Sequence, residues 1–564
     1  MARSCFLRYL SKLVFNPSRR ERLSALGSDL GPKRGIKRRR FLQLAALASG
    51  SFATTGILHG QAPGQQEPRQ VTGQQHLTVA IMGGGLAGLS AAYHLKKLGI
   101  SATVYEAKPI LGGRIRSQDA LIPGLINDLG GTLINSDHED MLALIEELDL
   151  TLFDRFAAFA EREIPVDFYH LAGQSRSEAE VAELLGPIAE QIGEDFELLE
   201  QDFDTHVQRL DALSVAEYLD QHTDKISVDW IRTLLELGIR SEYGVEPAES
   251  SALQLIYNLP SVDGEKVTAI KSDEAYMLQG GSAVLIEALA TELSEQIKTR
   301  WILRQISSEG DKFTLMFDQR GSQEMVQADY VILALPFPAL RRVDLQVDLP
   351  DGLRRFIKEV DLGKNEKLFA GFESRVWEVE SGFMGMAWSD GSFCNIWDDT
   401  SRQPESSKGV LTFFLSADQV QAASARAKDQ GALFVSELDR WIPEVDIAQA
   451  QTNQYLRTRW AQDPFIGGGY TSFKPGQYVE FSDYLYIDSE DPDERVDVHV
   501  GSLVFAGEQF SDEHYGYMEG AAQTGRLSAE VVAGLIHGIS DTTAVNLSVF
   551  NIDNLGDFLL GVVR

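Results

Sequence analysis

The sequence is poor in the residues that build disulfides and metal centres. Its 564 residues include two cysteines, Cys5 and Cys394, and ten scattered histidines. Cys5 lies in an N-terminal segment that we expect to be removed, so the other thiol has no partner for an internal disulfide or a cysteine-based metal site. The sequence therefore predicts no metal, and no pattern in it indicates Ser/His/Asp hydrolysis. Folding without disulfides suits a reducing compartment.

Positive charge is also scarce. The chain carries 51 Lys and Arg against 83 Asp and Glu, which gives a formal net charge of -32. So acidic a protein repels nucleic acid and anionic membranes, and neither is an expected partner, whereas its field attracts cationic solutes. The alternative interpretation is that the negative charge only keeps the protein soluble.

The basic residues are concentrated at the N-terminus, where residues 1–40 hold twelve Lys or Arg and two Asp or Glu. The basic residues 37–40 run into Phe41 and Leu42, and an uncharged segment rich in Ala, Gly, Ser and Thr continues to about Leu58. This layout predicts a cleavable signal over residues 1–62, and its Arg-Arg-x-Phe-Leu pattern resembles a twin-arginine signal. A membrane anchor is the competing interpretation, which the shortage of strong hydrophobes disfavours.

A signal of this type implies export of an already folded protein. We therefore expect the export machinery as a partner, a periplasmic or extracellular location, and no stable membrane span after cleavage. Residues 63–75, a polar Pro/Gly/Gln stretch, are predicted to form a linker. Residues 541–564 are predicted to be a C-terminal tail, in which charged and polar residues interrupt the apolar ones and argue against a membrane span.

A βαβ pattern opens the predicted folded part. Residues 77–82 form a short apolar run typical of a buried parallel strand, residues 86–98 have helical apolar spacing, and residues 102–105 indicate a second strand. The turn between the first strand and the helix has the pattern G-x-G-x-x-G. Its residues are Gly83, Gly84, Gly85, Leu86, Ala87 and Gly88.

Each glycine of this turn has a physical role in a dinucleotide site. Gly83 allows a tight turn, Gly85 leaves room for a pyrophosphate, and Gly88 permits close contact between helix and strand. The phosphates would then lie at the helix N-terminus, near Leu86 and Ala87, where free N–H groups and the helix dipole favour an anion. Glu106 ends the second strand 23 residues after Gly83 and suits hydrogen bonds from the ribose hydroxyls.

The residues that follow indicate which dinucleotide is bound. After Glu106 come Ala107 and, beyond four intervening residues, Gly112, Gly113 and Arg114. This Glu-Ala-x4-Gly-Gly-Arg continuation resembles the FAD family that includes monoamine, polyamine and L-amino-acid oxidases. The resemblance implies an α/β fold in which a Rossmann-type FAD-binding domain is interleaved with an α+β substrate-binding domain. The resemblance to this family extends from about residue 77 to residue 538.

Further segments resemble the FAD-binding pattern of this family, including residues 279–282 before a predicted helix and residues 516–521 at the start of another. The resemblance implies that the second helix presents its positive end to the flavin. The additional cofactor contacts that it implies are Gly130, Gly131 and Thr132 beside the flavin ring, Ile302 or Leu303 near the adenine, Gly507 and Glu508 at the ribityl chain, and Tyr517 and Met518 at the flavin pyrimidine.

Within the family the chain is most similar to the monoamine-oxidase type. Tyr470 and Tyr517 match two tyrosines whose parallel rings steer an amine towards the flavin. Trp460 lies ten residues before Tyr470 and is a third candidate, although a tryptophan is more often part of the core. Lys367 falls where the family places a lysine that holds water against flavin N5, and Lys364 is close enough that an error in register would exchange the two.

The resemblance also bears on how the cofactor is attached and what it does. Relatives with covalent flavin carry a cysteine before the first tyrosine of the pair, where this chain has Gly469, so we expect non-covalent FAD. The implied reaction is oxidative deamination of a primary amine or polyamine by hydride transfer to flavin N5, after which O2 reoxidises the flavin and gives hydrogen peroxide.

Three alternatives stay open at this point. An L-amino acid, including a basic one, would need a cationic partner for its carboxylate, and Arg240 or Arg375 could provide it. Desaturation of a large apolar molecule is the second alternative, which the two tyrosines and Lys367 disfavour. The third is a redox-inactive FAD-binding scaffold.

The predicted domain order follows from these segments. Residues 76–150, 266–345 and 456–540 are predicted to form the FAD-binding domain, and residues 151–265, which look mostly helical, and 346–455 the substrate domain.

Overall fold

A computed structural model describes residues 77–160, 162, 164–422, 426–489 and 494–538. The predicted signal, linker and C-terminal tail lie outside the described residues. The strands, in chain order, are β1 (Val79–Met82), β2 (Ala102–Glu106), β3 (Ser117–Gln118), β4 (Asn127–Asp128), β5 (Leu133–Ile134), β6 (Leu152–Asp154), β7 (Asp167–Leu171), β8 (Gln174–Arg176), β9 (Ser261–Asp263), β10 (Lys266–Thr268), β11 (Tyr276–Leu278), β12 (Ile297–Thr299), β13 (Ile302–Glu309), β14 (Lys312–Gln319), β15 (Ser322–Ala328), β16 (Tyr330–Leu333), β17 (Asp344–Gln346), β18 (Asp361–Leu362), β19 (Asn365–Phe372), β20 (Met386–Ser389), β21 (Asn395–Asp398), β22 (Gly409–Ser416), β23 (Gln451–Arg457), β24 (Thr471–Ser472), β25 (His499–Val500) and β26 (Leu503–Phe505).

The helices are α1 (Leu86–Lys97), α2 (Glu139–Glu147), α3 (Arg155–Phe159), α4 (Glu178–Gln201), α5 (Phe203–Asp211), α6 (Val215–Gln221), α7 (Asp229–Tyr243), α8 (Ala252–Asn258), α9 (Ala283–Glu292), α10 (Phe337–Leu340), α11 (Asp351–Glu359), α12 (Asp418–Ala422), α13 (Ala427–Leu438), α14 (Ile447–Ala450), α15 (Gln477–Phe481) and α16 (Met518–His537). Short 3-10 helices cover Thr223–Lys225, Trp460–Gln462, Ser482–Tyr484 and Glu508–Phe510.

A parallel sheet of six strands forms the centre of the cofactor half of the molecule, in the order β12-β2-β1-β16-β26-β25. Its strands are parallel except for the β25–β26 hairpin. All four residues of β1 are buried, which explains why this strand has a continuous apolar run rather than an alternating pattern. The sheet thus joins strands from the two ends and the middle of the chain.

Helices α1 and α16 pack against each other beside this sheet. Their contact is close because α16 has a glycine, Gly525, where a Cβ would lie 2.5 Å from the carbonyl oxygen of Ala87. The hydroxyl of Ser90 in α1 donates a hydrogen bond to the carbonyl oxygen of Ala522 at 2.9 Å. This contact fixes the two helices whose N-terminal ends border the candidate site.

A second sheet, of seven strands, has the order β23-β19-β22-β21-β20-β7-β8. Its pairs are antiparallel except for β20 and β7. Strands β19 and β22 are buried along their whole length. Because its strands come from segments between those of the first sheet, the two units are interleaved, and the predicted α/β fold class with an α+β second domain is confirmed.

Several smaller sheets were not anticipated. Strands β15-β14-β13-β17 and β5-β11-β6 form separate sheets, and β7 and β8 lie in the region predicted to be mostly helical. The burial along β7 does not alternate cleanly, so its sequence carries no period-two signal, and pairing with β20 determines its conformation. Helices α4 to α8 make up most of the remainder of that region. The exact domain limits stay predictions.

The α1–α16 contact provides a test of the fold. Replacing Gly525 by alanine should destabilise the protein by about 1–3 kcal/mol, because the new methyl group overlaps the backbone of α1. Chemical denaturation measures the change. The matched control is Gly193→Ala in α4, where a Cβ meets no atom within 4 Å and alanine should be neutral or slightly stabilising. Equal stability of the two variants would contradict this account of the packing.

Candidate active site

A long cavity opens at the carboxyl ends of the central parallel strands, where ligands bind in folds of this kind. Of the residues predicted to bind the cofactor or substrate, the following line the cavity: Gly83, Gly85, Leu86, Ala87, Glu106, Ala107, Gly112, Gly113, Arg114, Gly131, Ile302, Leu303, Tyr470, Gly507, Glu508, Tyr517 and Met518. Segments more than 400 residues apart in sequence therefore meet at one site.

The glycine-rich turn shapes one part of this cavity. Gly83 has a φ of +109°, and a Cβ there would lie 2.4 Å from the carbonyl oxygen of Ala334. A Cβ on Gly88 would lie 2.0 Å from the carbonyl oxygen of Gly83, so only glycine lets α1 approach the turn. A Cβ on Gly85 would meet nothing within 4 Å, because this position faces the open cavity.

The N-terminus of α1 is suited to an anion. Its N-cap, Gly85, has no side chain to accept the free N–H groups, and the first turn has no acidic residue. Leu86 and Ala87 of this turn line the cavity. The unpaired N–H groups and the helix dipole therefore present positive charge to a phosphate.

Glu106 lies beside this turn at the end of β2. Its Oε2 accepts a hydrogen bond from the Gly84 N–H at 2.8 Å, and its Oε1 accepts one from the Lys108 N–H at 2.7 Å. Burial raises the pKa of the carboxyl, and these two hydrogen bonds oppose that change. Each oxygen keeps a further lone pair, which can accept a hydrogen bond from a ribose hydroxyl.

The outer end of the cavity is lined by Ile302 and Leu303 of β13 together with Trp301 and Tyr105. The rings of Trp301 and Tyr105 pack edge to face with centroids 5.3 Å apart. On the opposite side, Phe465 contributes to the lining, and Lys108 forms an ion pair with Asp463 just before it. This apolar end fits a planar heterocycle such as adenine.

The N-terminus of a second helix, α16, borders the other end of the cavity. Its N-cap, Tyr517, provides no side-chain hydrogen bond to the helix. The acid of the first turn, Glu519, instead accepts hydrogen bonds from the Asp140 and Met141 N–H groups, both at 2.8 Å. The positive end of α16 consequently remains available to the cavity, beside Met518.

An ion pair connects the front of the chain to its C-terminal part. The Arg114 guanidinium donates to Glu508 Oε1 at 2.7 Å and to the carbonyl oxygen of Gly469 at 2.6 Å. Glu508 Oε2 accepts a hydrogen bond from the Gly516 N–H at 2.7 Å. These contacts hold the turns before Tyr470 and Tyr517 against the cofactor groove.

Lys367 lies behind the turn at Gly130 and Gly131 rather than on the cavity lining. Its Nζ donates to the carbonyl oxygens of Asp128 at 3.0 Å and Gly130 at 2.7 Å, and to Thr132 Oγ1 at 2.6 Å. The side chain is 5% exposed, and burial lowers the pKa of the ammonium group. Lys364 is exposed, so of the two lysines considered Lys367 is the one beside the predicted site.

Trp460, like Lys367, lies behind the turn at Gly130. Its indole Nε1 donates to the carbonyl oxygen of Leu129 at 3.0 Å, and its ring lies against Gly130. The Arg116 guanidinium stacks over the ring at 5.1 Å from the centroid. Trp460 therefore supports the glycine-rich turn, and it is not grouped with the two tyrosines on the cavity wall.

Tyr470 and Tyr517 both line the cavity, and Tyr470 lies against the residue before Tyr517. Tyr470 Cβ is 3.4 Å from the position of a Cβ on Gly516, the residue before Tyr517. The Tyr517 hydroxyl donates a hydrogen bond to Glu242 Oε2 at 2.5 Å. Burial raises the pKa of both phenols, so both are neutral at physiological pH.

Sequence reasoning missed the acidic and imidazole groups around these tyrosines. The pKa of Glu242 is raised by burial to about 7, and that of Glu274, which acts on Glu242, is also raised by burial. His138 packs edge to face on Tyr517 at 5.3 Å, and burial lowers its pKa to about 3, which keeps it neutral. Only the three-dimensional packing identifies these groups, since each is a single polar residue without a motif.

These features fit FAD. The α1 N-terminus would hold the pyrophosphate, Glu106 a ribose, the Ile302–Leu303 end the adenine, and the turn at Gly131 with the α16 N-terminus the flavin ring. By contrast, in the described part of the chain no group of three His, Cys, Asp or Glu side chains is arranged to hold a metal ion.

Comparison with known proteins agrees with this site. The family described as flavin containing amine oxidoreductase matches residues 86–533, and the chain belongs to it. It is thus an oxidoreductase of the flavin amine oxidase family, whose cofactor is FAD.

Individual relatives are distant but cover most of the chain. A protein named as a flavin-containing monoamine oxidase of Mycobacterium tuberculosis is 26% identical over 476 residues, 81% of this chain and 97% of the relative. An L-amino acid dehydrogenase of Synechocystis sp. is 24% identical over 478 residues, 81% of this chain and 94% of the relative.

Solved structures share the fold. A structure of putrescine oxidase bound to putrescine has a TM-score of 0.66 at 22% identity and covers 81% of this chain and 99% of its own. Cyclohexylamine oxidase from Brevibacterium oxydans has a TM-score of 0.64 at 21% identity, with 82% and 99% covered.

The role of Glu106 can be tested by Glu106→Gln. The amide retains the size of the carboxyl but replaces one acceptor oxygen by an NH2 group, so FAD affinity should fall roughly 10- to 100-fold. Fluorescence titration of the deflavinated protein with FAD measures the effect. The exposed Glu265→Gln is the control and should bind FAD as the wild type does. Unchanged affinity in Glu106→Gln would remove this residue from the cofactor site.

Proposed function

We propose that the protein is a FAD-dependent oxidase of an amine that lacks a carboxylate, such as a primary amine or polyamine. One observation carries this proposal: Tyr470 and Tyr517 border the predicted cofactor groove, and the hydroxyl of Tyr517 is hydrogen bonded to the carboxylate of Glu242. Aromatic faces and a carboxylate are groups that attract a cationic amine.

The arginines considered for an amino-acid carboxylate are engaged elsewhere. Arg240 is paired with Glu246 at 2.8 Å. Arg375 is paired with Asp398 at 3.2 Å, and its Nη2 also donates to the carbonyl oxygen of Thr400. Neither guanidinium is free for a substrate carboxylate, which supports the amine over the L-amino acid.

The two cations nearer the site are also occupied. Arg155 donates to the carbonyl oxygen of Glu274 at 2.7 Å and pairs with its carboxylate at 3.3 Å. The three N–H groups of Lys367 are used by the turn at residues 128–132. An amino acid would bring its carboxylate near Glu242 without a free counter-ion among these groups, and this arrangement is unfavourable.

The residues of the chain contribute orientation and a shielded site. When bound, FAD supplies the acceptor for the hydride that leaves the substrate α-carbon, and O2 reoxidises it with formation of hydrogen peroxide. Tyr470 and Tyr517 orient the neutral amine between them and exclude water from it. Lys367 fixes the turn at Gly130 and places its charge beside that turn.

Non-covalent attachment of FAD is part of the proposal. Gly469, which precedes Tyr470, has no side chain to form a bond, and a Cβ there would lie 2.6 Å from Asn365 Oδ1. The thiol of Cys394 is buried and donates to the carbonyl oxygen of Leu237. Neither position offers a thiol to the cofactor groove.

Export is likewise proposed, from the basic and apolar pattern of the N-terminal residues. Within the described residues, no helix is both long and apolar enough to cross a bilayer.

An anaerobic stopped-flow screen tests the substrate class. Amines without a carboxylate should bleach the flavin absorbance, whereas the set of L-amino acids should leave it oxidised, because the four basic residues considered above are already paired. Readmitting O2 should restore the absorbance and yield one hydrogen peroxide per flavin. Bleaching by amino acids alone would show that the protein is an L-amino-acid oxidase instead. No bleaching by either set would favour desaturation of a large apolar molecule or a redox-inactive FAD-binding scaffold.

The attachment of the cofactor can be tested without turnover. Precipitation of the purified yellow protein with acid should release all of the FAD into the supernatant, because Gly469 carries no thiol and Cys394 is buried against Leu237. Absorbance of the supernatant and the mass of the precipitated chain provide the measurement. A chain that retains the added mass of a flavin would contradict non-covalent binding.

A further inference from the structure

Glu242 lies near the C-terminal end of α7, deep in the molecule and next to the tyrosine pair. Its Oε2 accepts the hydrogen bond from the Tyr517 hydroxyl at 2.5 Å. Its Oε1 has no hydrogen-bond partner among the described residues, and the residue keeps part of its surface accessible. Tyr517 itself lines the cavity, so Glu242 lies one hydrogen bond away from the cavity wall.

Among the residues that the structure describes, none forms an ion pair with Glu242. The charged group that acts on Glu242 is another carboxylate, Glu274, and burial disfavours the charge of both. Arg155 is paired with Glu274. Since a buried carboxylate without a cation is unfavourable, a positive group of a ligand would satisfy Glu242.

The backbone holds Glu274 in a strained conformation beside Glu242. Glu274 has a φ of +47°, which is unusual for a residue other than glycine. Asn135 Oδ1 accepts hydrogen bonds from the Glu274 N–H at 3.0 Å and from Ser272 Oγ at 2.9 Å, and these fix the segment. Strain of this kind is retained where the surrounding structure imposes a particular side-chain position.

We propose that Glu242 binds a second ammonium group of the substrate, so that the enzyme prefers diamines and polyamines to monoamines. This inference rests on the amine oxidation proposed above and names its substrate class. The amine that is oxidised lies between the tyrosines as the neutral base, and the remaining ammonium donates to Glu242 Oε1. The hydrogen bond from Tyr517 holds the carboxylate in place for it.

The negative charge of Glu242 separates a substrate-binding role from a role limited to orienting the Tyr517 hydroxyl. A carboxylate that only oriented the phenol would do so equally well as a neutral amide, since the amide oxygen also accepts a hydrogen bond. The charge itself matters only if a cation is bound. Replacement of the carboxylate by an amide therefore separates the two roles.

The experiment compares 1,5-diaminopentane with 1-aminopentane, which has the same carbon chain and no second amine. Anaerobic stopped-flow measures the apparent Kd and the limiting rate of flavin reduction for each. In the wild type the diamine should bind roughly 10- to 100-fold more tightly, as expected for a hydrogen bond to a charged group. In Glu242→Gln this preference should disappear, because the diamine loses a contact that 1-aminopentane does not make.

Glu236→Gln is the matched control, because Glu236 is on the same helix and is paired with Arg232 at 2.9 Å outside the cavity. It should keep the full preference for the diamine. Where Glu242→Gln does not retain FAD, Glu242→Asp replaces it. Its carboxylate is withdrawn by one methylene, so the preferred diamine should become 1,6-diaminohexane.

The outcomes separate this inference from the proposed function. Two outcomes would overturn the role of Glu242 and leave amine oxidation intact. The first is equal binding of both amines by the wild type. The second is an unchanged preference in Glu242→Gln together with an unchanged length of the preferred diamine in Glu242→Asp. Failure of both amines, and of the wider amine screen, to reduce the wild-type flavin would overturn the two together.

Discussion

The buried ion pair between Asp128 and Arg402 joins the interleaved parts of this molecule. The two side chains are fully excluded from solvent and approach to 2.7 Å. Asp128 Oδ1 also accepts a hydrogen bond from the Ser282 N–H at 2.9 Å, and the Asp128 N–H donates to Asp399 at 2.8 Å. Loss of one partner of such a pair leaves an uncompensated buried charge and destabilises a protein by about 3–5 kcal/mol.

The position of Lys367 depends on the same junction. Its ammonium donates to the carbonyl oxygen of Asp128, and its backbone lies in β19 of the second sheet. Movement of Asp128 would displace both the lysine and the turn at Gly130 that borders the cofactor groove. A change that destabilises the domain junction would therefore also alter the geometry of the candidate site.

Two helix N-termini give the site its electrostatic character. Gly85 before α1 and Tyr517 before α16 both leave their helices without a side-chain cap, and the contact at Gly525 fixes the two helices relative to each other. The groove is positive where the cofactor carries its phosphates and the flavin, whereas Glu242 and Glu274 make the region beside the tyrosines acidic. The division suits an anionic cofactor and a cationic substrate.

Most of the residues that line the cavity were predicted from the sequence, because glycines at fixed spacing indicate close backbone approaches that do not depend on distant residues. Gly83 and Gly88 are examples, since each lies where a Cβ would overlap a carbonyl group. The fully buried strand β1 was likewise visible as an apolar run. The boundaries of α1 and α16 agreed with the expected ones to within two residues.

The remainder depended on tertiary contacts that leave no local pattern. Glu242 lies in an ordinary amphipathic helix, and nothing in its neighbours distinguishes it from the surface acids of the same helix. Strand β7 follows from its pairing with β20, which is more than 200 residues away. Trp460 was a reasonable active-site candidate by spacing, but its indole supports the glycine-rich turn instead.

The interleaved topology has a consequence for the biosynthesis of the protein. The cofactor groove is lined by residues from Met82 to Ala521, so its last wall is made more than 400 residues after its first. The central sheet likewise lacks β26 until that point. Contacts of such long range form slowly, and partly folded chains expose apolar strands in the meantime. The complete lining of this cavity therefore exists only after the start of α16 has been synthesised.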